Sequence, residues 1–261
     1  MPPGRTANLR DEQLRERLLR FERESRYLKK DSNERKVFEE VFDKATLWAI
    51  NRLLSNGQLE YLNGVVNAGK EARVYWGVAP DNSSRAVKIY LTSSAEFKKR
   101  LRYVAGDRRF TKIPSSSRGI AELWVQKEFK NLQLAEGAGI RVPKPYAFNE
   151  NVLVTEYIGK PPAPSPRFAD TEVDEKDYRW TMKMVKKLYK RAKLVHADLS
   201  EYNVFKFGKE DVLFDMGSAV LTTHPESKEL LLRDVTNMVR FFRRRGIYER
   251  EANDIVEEIV S

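Results

Sequence analysis

The stretch LVHADLSEYNVFKFGKEDVLFDMG, residues 194–217, contains the spacing that decides the fold. Four residues separate Asp198 from Asn203, so a carboxylate and an amide lie close together in one polar loop. A carboxylate placed there can orient or deprotonate an attacking hydroxyl or water, while an amide oxygen can hold a metal ion. An apolar strand over residues 212–214 then leads directly to Asp215. A carboxylate at the end of a buried strand suits a metal ion that bridges phosphates.

Each of these side chains, taken alone, could be an ordinary polar residue in a surface turn. In this order, with one short hairpin around Gly208 between them, they are similar to the catalytic and metal-binding loops of protein kinases. Asp215-Met-Gly217 stands in the place of the kinase Asp-Phe-Gly. The pattern predicts an α+β, bilobal, protein-kinase-like fold that binds ATP and a divalent metal, Mg²⁺ or Mn²⁺.

Lys88 is the predicted phosphate-positioning cation. Strand alternation places it on the face opposite the neighbouring valine and isoleucine. Because an unpaired buried charge is costly, it needs a counter-charge. Glu128 is the natural partner, since it lies inside the apolar stripe of a helix predicted over residues 121–138. The alternatives are that Lys88 reaches solvent and Glu128 sits at the stripe edge, or that Glu122 or Glu136 is the partner.

Two further segments are predicted to contact the nucleotide. The turn at residues 67–74 lies where kinases carry a glycine-rich phosphate loop, although only Gly69 and one valine match that pattern. After the apolar strand 152–155, backbone groups of Glu156 and Ile158 would be free to bond the adenine edge. An ordinary turn and a plain interdomain linker are the respective alternatives.

Composition excludes several classes of site and protein. The 261 residues include no cysteine and only two histidines, which excludes a disulfide framework, a thiolate site and a structural zinc site. No apolar run is long enough to span a membrane, and the start lacks a signal peptide, so we expect a cytoplasmic protein. A net charge of +10 favours polyanionic partners, although a solvated basic surface would give the same number.

The chain divides into three predicted parts: an N-terminal helical extension (1–62), an N-lobe of antiparallel sheet plus one helix (63–158) and a C-lobe that bears the site (159–261). The extension is predicted to hold helices over 9–30 and 35–54 that pack on the outside. The polar, basic stretch 92–117 reads as a flexible insertion without elements. In the C-lobe we predict a long amphipathic helix over 178–192 and a final basic helix over 233–245.

With these segments assembled, the sequence resembles the RIO family of atypical protein kinases, specifically the first subfamily in a minimal, archaeal-type form. The resemblance covers about residues 35–245 and rests on three motifs: VHADLSEYN (195–203), FDMG (214–217) and GKEARV (69–74). At the last turn Asn67-Ala68 departs from the usual Ser-Thr, which removes hydroxyl contacts to phosphate.

The resemblance implies roles for the matching positions: Asp198 as catalytic aspartate, Asn203 and Asp215 as metal ligands, Lys88 and its partner Glu128 at the phosphates, Gly69 in the turn above them, and Glu156 and Ile158 at the adenine. It also implies that Asp215 is a phosphate acceptor, giving an aspartyl phosphate. It further implies association with precursors of the small ribosomal subunit, through ribosomal RNA and proteins. We expect a monomer.

The 46 residues after Asp215 leave no room for the long activation segment and peptide-docking helices of conventional kinases. We therefore expect ATP hydrolysis, autophosphorylation or action on a bound macromolecule. The alternatives are a ribosome- or RNA-binding module in which ATP is a conformational clamp, and a small-molecule kinase. Asp234 is expected to brace the backbone of the catalytic loop, the alternative being an exposed aspartate in the first turn of a helix.

Overall fold

The computed structural model describes residues 42–92, 100–208, 210–247 and 249–261. The helix predicted over 9–30 and the beginning of that predicted over 35–54 lie outside these residues. Helix α1 spans Lys44–Ser55 and begins where the carboxylate of Asp43 accepts a hydrogen bond from the N–H of Thr46 at 2.9 Å. The backbone of Asp43 is extended, so the prediction of one continuous helix over 35–54 is wrong at this capping residue.

A five-stranded antiparallel sheet follows, in the order β1-β2-β3-β5-β4. Its strands are β1 (Tyr61–Ala68), β2 (Ala72–Val78), β3 (Ser84–Tyr90), β4 (Pro145–Asn149) and β5 (Val152–Glu156). Helix α2, Ser117–Gly137, packs on the sheet face opposite α1. Side chains alternate between the two faces along β5. Val152 and Val154 belong to the apolar cluster of α1, whereas Leu153 belongs to that of α2.

The prediction of a flexible insertion without elements over 92–117 is wrong for residues 100–117, which the structure describes. Arg100–Tyr103 forms a short 3-10 helix, and Tyr103, Val104 and Phe110 are buried in the core under α2. The hydroxyl of Ser116 then caps α2, which begins earlier than predicted. The apolar residues that hold this segment follow no regular period, so the basic composition concealed them.

The remaining chain is mostly helical. Its elements are the ladders β6 (Gly159–Lys160) with β7 (Ala163–Pro164), β8 (Leu194–Val195) with β11 (Val220–Leu221) and β9 (Val204–Phe205) with β10 (Val212–Leu213), and the helices α3 (Glu175–Lys190), α4 (Ser227–Arg244) and α5 (Ala252–Val260). Helix α4 starts six residues before the predicted basic helix, because Leu230 and Leu231 extend its buried face. The sheet with α2 and this helical part together give the predicted bilobal α+β arrangement. In the described ranges no helix combines the length and apolar character needed to cross a membrane.

Candidate active site

A cleft of about 570 Å³ lies between the sheet and the helical part. The predicted site residues that line it are Lys88, Glu128, Glu156, Ile158, Asn203 and Asp215. Asp198 and Gly69 are not among its lining residues. Five separate chain segments therefore bring six of the eight predicted positions to one cavity.

Lys88 is held between two carboxylates at the centre of this cleft. Its Nζ lies 3.0 Å from both oxygens of Glu128 and 2.8 Å from Oδ1 of Asp215. Burial alone would lower the pKa of Lys88, but Asp215, Glu128 and Tyr90 outweigh it and raise that pKa well above its usual value. The ammonium is therefore a fixed positive charge. The predicted pair with Glu128 is confirmed, and the alternatives at Glu122 and Glu136 are not needed.

Glu128 is nearly inaccessible, with 4% of its side chain exposed. Burial raises the pKa of Glu128, although the charge of Lys88 works against that effect, and the hydroxyl of Tyr90 donates to its second oxygen. Such a carboxylate is stable only while its cation stays in place. Glu128 thereby fixes where the end of the Lys88 side chain lies.

Asp215 and Asn203 present the oxygen ligands expected of a magnesium site. Asp215 has the left-handed backbone conformation, φ 61° and ψ 57°, which is uncommon for a residue other than glycine. The amide nitrogen of Asn203 donates to the carbonyl of Asp198 at 2.7 Å, which leaves its Oδ1 available as a ligand. The N–H of Phe214 bonds the carbonyl of Asn203 at 3.0 Å and ties the two segments together.

One carboxylate and one amide oxygen fit Mg²⁺, which is commonly held by one or two protein oxygens together with substrate phosphates and water. No group of three or more histidine, cysteine, aspartate or glutamate side chains that could hold a metal occurs in the described part of the chain. The donor set at Asn203 and Asp215 therefore suits a metal that arrives with a nucleotide.

Asp234 braces the loop that carries Asp198. Its two oxygens accept the N–H groups of Ala197 at 2.7 Å and of Leu199 at 3.0 Å, on either side of Asp198. The guanidinium of Arg233 donates to the carbonyl of Ala197, whose backbone is left-handed. Burial raises the pKa of Asp234 to about 6 despite these two hydrogen bonds. Asp234 is thus the predicted structural residue and not an exposed helix-terminal aspartate.

Asp198 itself is exposed, between the two buried residues whose N–H groups Asp234 binds. The side-chain amide of Asn203 donates to the backbone carbonyl of Asp198, and Asn203 lines the cleft. Asp198 therefore lies next to a cleft residue. A group in that position can reach a substrate that approaches from solvent, as a catalytic base acting on a macromolecule must.

The segment predicted to meet the adenine differs in part from expectation. The N–H of Glu156 is not free, because it donates to the carbonyl of Lys144 at 2.8 Å. The side chain of Glu156 accepts two hydrogen bonds of 2.6 Å from Arg141. The carbonyl of Ile158 accepts the N–H of Ser165, whereas its own N–H has no partner within the described chain. Ile158 therefore keeps a donor available at the cleft, and Glu156 keeps at most its carbonyl.

Gly69 lies in the turn between β1 and β2 and not against the cavity. Its carbonyl accepts from Arg73, and its N–H donates to Ala72 at 3.0 Å. Val66 and Asn67, just before it, line the cleft instead. Gly69 therefore lies in an ordinary turn between two strands, which was the alternative to a phosphate loop. The end of β1 just before it forms part of the cleft wall.

Sequence reasoning missed an aromatic floor in the cleft. The rings of Phe205 and Phe214 stack with centroids 3.9 Å apart and planes 13° from parallel, and both residues line the cavity. The pair gives the cleft apolar wall surface next to Asn203 and Asp215. The available signal was position: one phenylalanine lies two residues after Asn203 and the other immediately before Asp215.

Comparison with known proteins agrees with this geometry. The RIO domain family model matches residues 73–255. The RIO-type serine/threonine-protein kinase Rio1 of Haloferax volcanii is 40% identical over 219 residues, covering 83% of this chain and 75% of that protein. Rio1 of Methanocaldococcus jannaschii is 41% identical, covering 81% and 73%. Human serine/threonine-protein kinase RIO1 is 33% identical, and the match covers 88% of this chain but only 42% of that longer protein.

Solved structures give the same fold. The Rio2 kinase–ADP/Mg²⁺–phosphoaspartate complex from Chaetomium thermophilum has a TM-score of 0.65 at 18% identity, over 82% of this chain and 66% of that one. A second structure of that Rio2 kinase has a TM-score of 0.63 at 19% identity. The likeness at this identity establishes the kinase-like architecture. Because the family model and the Rio1 relatives match most of the sequence, the chain belongs to the RIO family of atypical protein kinases.

Proposed function

We propose that this chain is a magnesium-dependent serine/threonine kinase and ATPase that acts on precursors of the small ribosomal subunit in the cytoplasm. The single observation that carries the phosphotransfer part is the position of Lys88. Its ammonium lies within 3.0 Å of Glu128 and 2.8 Å of Asp215, in a cleft with an aromatic floor and a free backbone donor at Ile158. A fixed cation beside a metal-binding carboxylate is what a transferring phosphoryl group requires.

The chain's own groups divide the work as follows. Lys88 orients the phosphates and stabilises their charge, while Glu128 keeps the ammonium in place. Asn203 and Asp215 would hold Mg²⁺, which neutralises charge on the phosphates when bound. Asp198, at the exposed edge of its loop, takes the proton of the attacking hydroxyl or water.

Asp215 also has the chemistry of a nucleophile. In the route we favour, a carboxylate oxygen of Asp215 attacks the γ-phosphorus of ATP and forms a P–O bond with it. The bond between the γ-phosphorus and the oxygen that links it to the β-phosphate breaks, and ADP leaves. Water activated by Asp198 then attacks the acyl phosphate and releases phosphate and the regenerated carboxylate. A phosphoaspartate occurs in the Rio2 complex named above, which supports the proposal by analogy.

The ribosomal partner rests on the family resemblance and on charge. The net charge is +10. Exposed basic residues occur in two parts of the chain, at Arg102, Arg108 and Lys112 and at Arg240, Arg244 and Arg245. Clustered exposed cations favour a polyanionic surface such as ribosomal RNA.

The test is to incubate the purified chain with γ-labelled ATP and Mg²⁺, with and without small ribosomal subunits. We expect free labelled phosphate or labelled protein, and a change in rate or labelling pattern when subunits are present. Tight ATP binding without release of label in either condition would instead support the clamp alternative. Label on an added aminoglycoside or choline would support a small-molecule kinase.

A further inference from the structure

Helix α2 reaches the Asp215 loop through two buried polar side chains, Lys127 and Asn131, which lie one helical turn apart. The Nζ of Lys127 donates to the carbonyl of Gly217 at 2.8 Å and also to that of Ala219. The amide of Asn131 donates to the carbonyls of Met216 at 2.8 Å and Ala219 at 2.9 Å. Two side chains thus bind three carbonyl oxygens of the four residues that follow Asp215.

Both side chains are fully buried, with 0% of each residue exposed. A lysine in such a place is unfavourable unless its donors are used, and a methionine or leucine would fill the same volume without that penalty. Burial lowers the pKa of Lys127 to about 7, and the positive charge of Arg109 acts in the same direction. The hydrogen bonds from this amine to the loop carbonyls offset the cost of burying it.

The loop needs such restraint. Asp215 has a left-handed backbone conformation that a non-glycine residue keeps only where its surroundings determine it. Gly217 packs so closely on Trp124, also on α2, that a Cβ there would lie 2.6 Å from the indole nitrogen. The same helix carries Glu128, so one rigid element sets both the Lys88 ammonium and the Asp215 carboxylate.

We propose that Lys127 and Asn131 are positioning residues that hold the loop Met216–Ala219 so that the Asp215 carboxylate can bind the metal. The proposal rests on the proposed function, in which Asp215 is a metal ligand. Neither side chain lines the nucleotide cleft. Changing either residue should therefore weaken metal binding without weakening metal-free nucleotide binding.

The experiment measures Mn²⁺ binding by electron paramagnetic resonance in the presence of ADP, and the binding of a fluorescent ADP analogue without metal. The variants are Lys127→Met, Asn131→Ala and Lys127→Gln, whose side-chain amide keeps N–H donors. Lys130→Met is the matched control, because Lys130 is an exposed lysine on the same helix. All are compared well below their melting temperatures, and Asn131→Ala carries the comparison if Lys127→Met does not fold.

We expect Mn²⁺ affinity to fall about 10-fold or more in Lys127→Met and Asn131→Ala, the range seen when groups that orient metal ligands are removed. Metal-free ADP affinity should stay within about twofold, Lys127→Gln should recover part of the loss, and Lys130→Met should match the wild type. Unchanged Mn²⁺ affinity in folded Asn131→Ala, or an equal loss of metal-free ADP affinity, would overturn the inference. Failure of the wild-type protein to bind Mn²⁺ with ADP would count against the proposed function itself.

Discussion

Lys88 and Glu128 form a close, largely buried ion pair in the cleft. Lys88 retains 20% exposure of its side chain, while Glu128 beneath it retains 4%. Removing Lys88 leaves the buried Glu128 carboxylate without its cation, whereas removing Glu128 leaves Lys88 paired with Asp215 and no longer held from the α2 side. The two groups therefore act as one unit in ATP turnover.

We predict that Lys88→Ala and Glu128→Ala each lower ATP turnover strongly and that the double variant is little worse than the more damaged single one. The coupling energy should be about 0.5–3 kcal/mol, as for residues in direct contact. The measurement is kcat/KM for ATP in the four proteins of the cycle. Losses that simply add would show that the pair does not act together.

Asp234 supports a prediction about pH. Its folded-state pKa of about 6 lies above the ordinary value of 3.8, so its stabilising contribution is complete below pH 3.8 and is lost as pH rises through 6. Compared with Asp234→Asn, which does not titrate, the wild type should lose about 2.5 kcal/mol of relative stability between pH 4 and pH 7. Denaturant unfolding of both proteins across this range measures it, and a constant difference would contradict the assignment.

Asp234→Asn should also lower turnover. A carboxylate accepts both loop N–H groups, whereas an amide offers one acceptor and turns a donor towards the second N–H. Asp198 should then be less well positioned. Normal turnover in the folded variant would show that the bracing does not matter for activity.

At the residue scale the sequence predicted the positions that depend on spacing. Lys88, Glu128, Asn203, Asp215 and Asp234 were identifiable because polar residues at fixed offsets interrupt apolar segments. Backbone direction was not predictable, which is why the N–H of Glu156 was wrongly expected to be free. Lys127 and Asn131 were missed because nothing in a single sequence indicates which loop a buried polar side chain will bind.

Among the elements, helices and strands with a regular apolar period were predictable. The helix α3 follows such a period and the strand β5 begins with a continuous apolar run, and both were predicted close to their observed positions. The described residues 100–116 were not predictable, because Tyr103, Val104 and Phe110 are held by tertiary contacts under α2. The start of α1 was missed for the opposite reason, since a cap at Asp43 interrupts a favourable helical pattern.

The cap of α1 gives a prediction at this scale. Asp43 bonds the N–H of Thr46 and pairs with Arg118 near the start of α2, so it joins the two helices that enclose the sheet. Asp43→Ala should reduce stability by about 1 kcal/mol, the usual effect of losing an N-cap, with kcat unchanged. Thermal melting and ATP turnover measure the two effects. The matched control is Asp81→Ala, which changes an aspartate in an exposed turn. An equal loss of stability in that variant would show that Asp43 does not stabilise the protein as a helix cap.

For the whole molecule, the basic clusters predict salt-dependent association with ribosomal RNA. Arg240 and Arg245 are exposed and form no ion pair with a described residue, so they are the informative positions. Changing both to glutamate should weaken binding and reduce the slope of log affinity against log salt by about 0.7–0.9 for each phosphate that the protein no longer neutralises. Lys183→Glu, an exposed charge reversal on α3, is the control. Binding that is independent of salt, or unchanged after both reversals, would indicate a purely solvated surface.

The central claim is that this cleft transfers the γ-phosphoryl group through the two aspartates of the opening motif. The most direct measurement is the label retained on Asp198→Ala and Asp215→Ala after incubation with γ-labelled ATP and Mg²⁺. If Asp215 is the nucleophile and Asp198 activates the water, Asp198→Ala accumulates label that hydroxylamine removes, and Asp215→Ala accumulates none. Hydroxylamine-resistant label on Asp198→Ala would instead indicate serine phosphorylation. Undiminished turnover in Asp215→Ala would contradict the account as a whole.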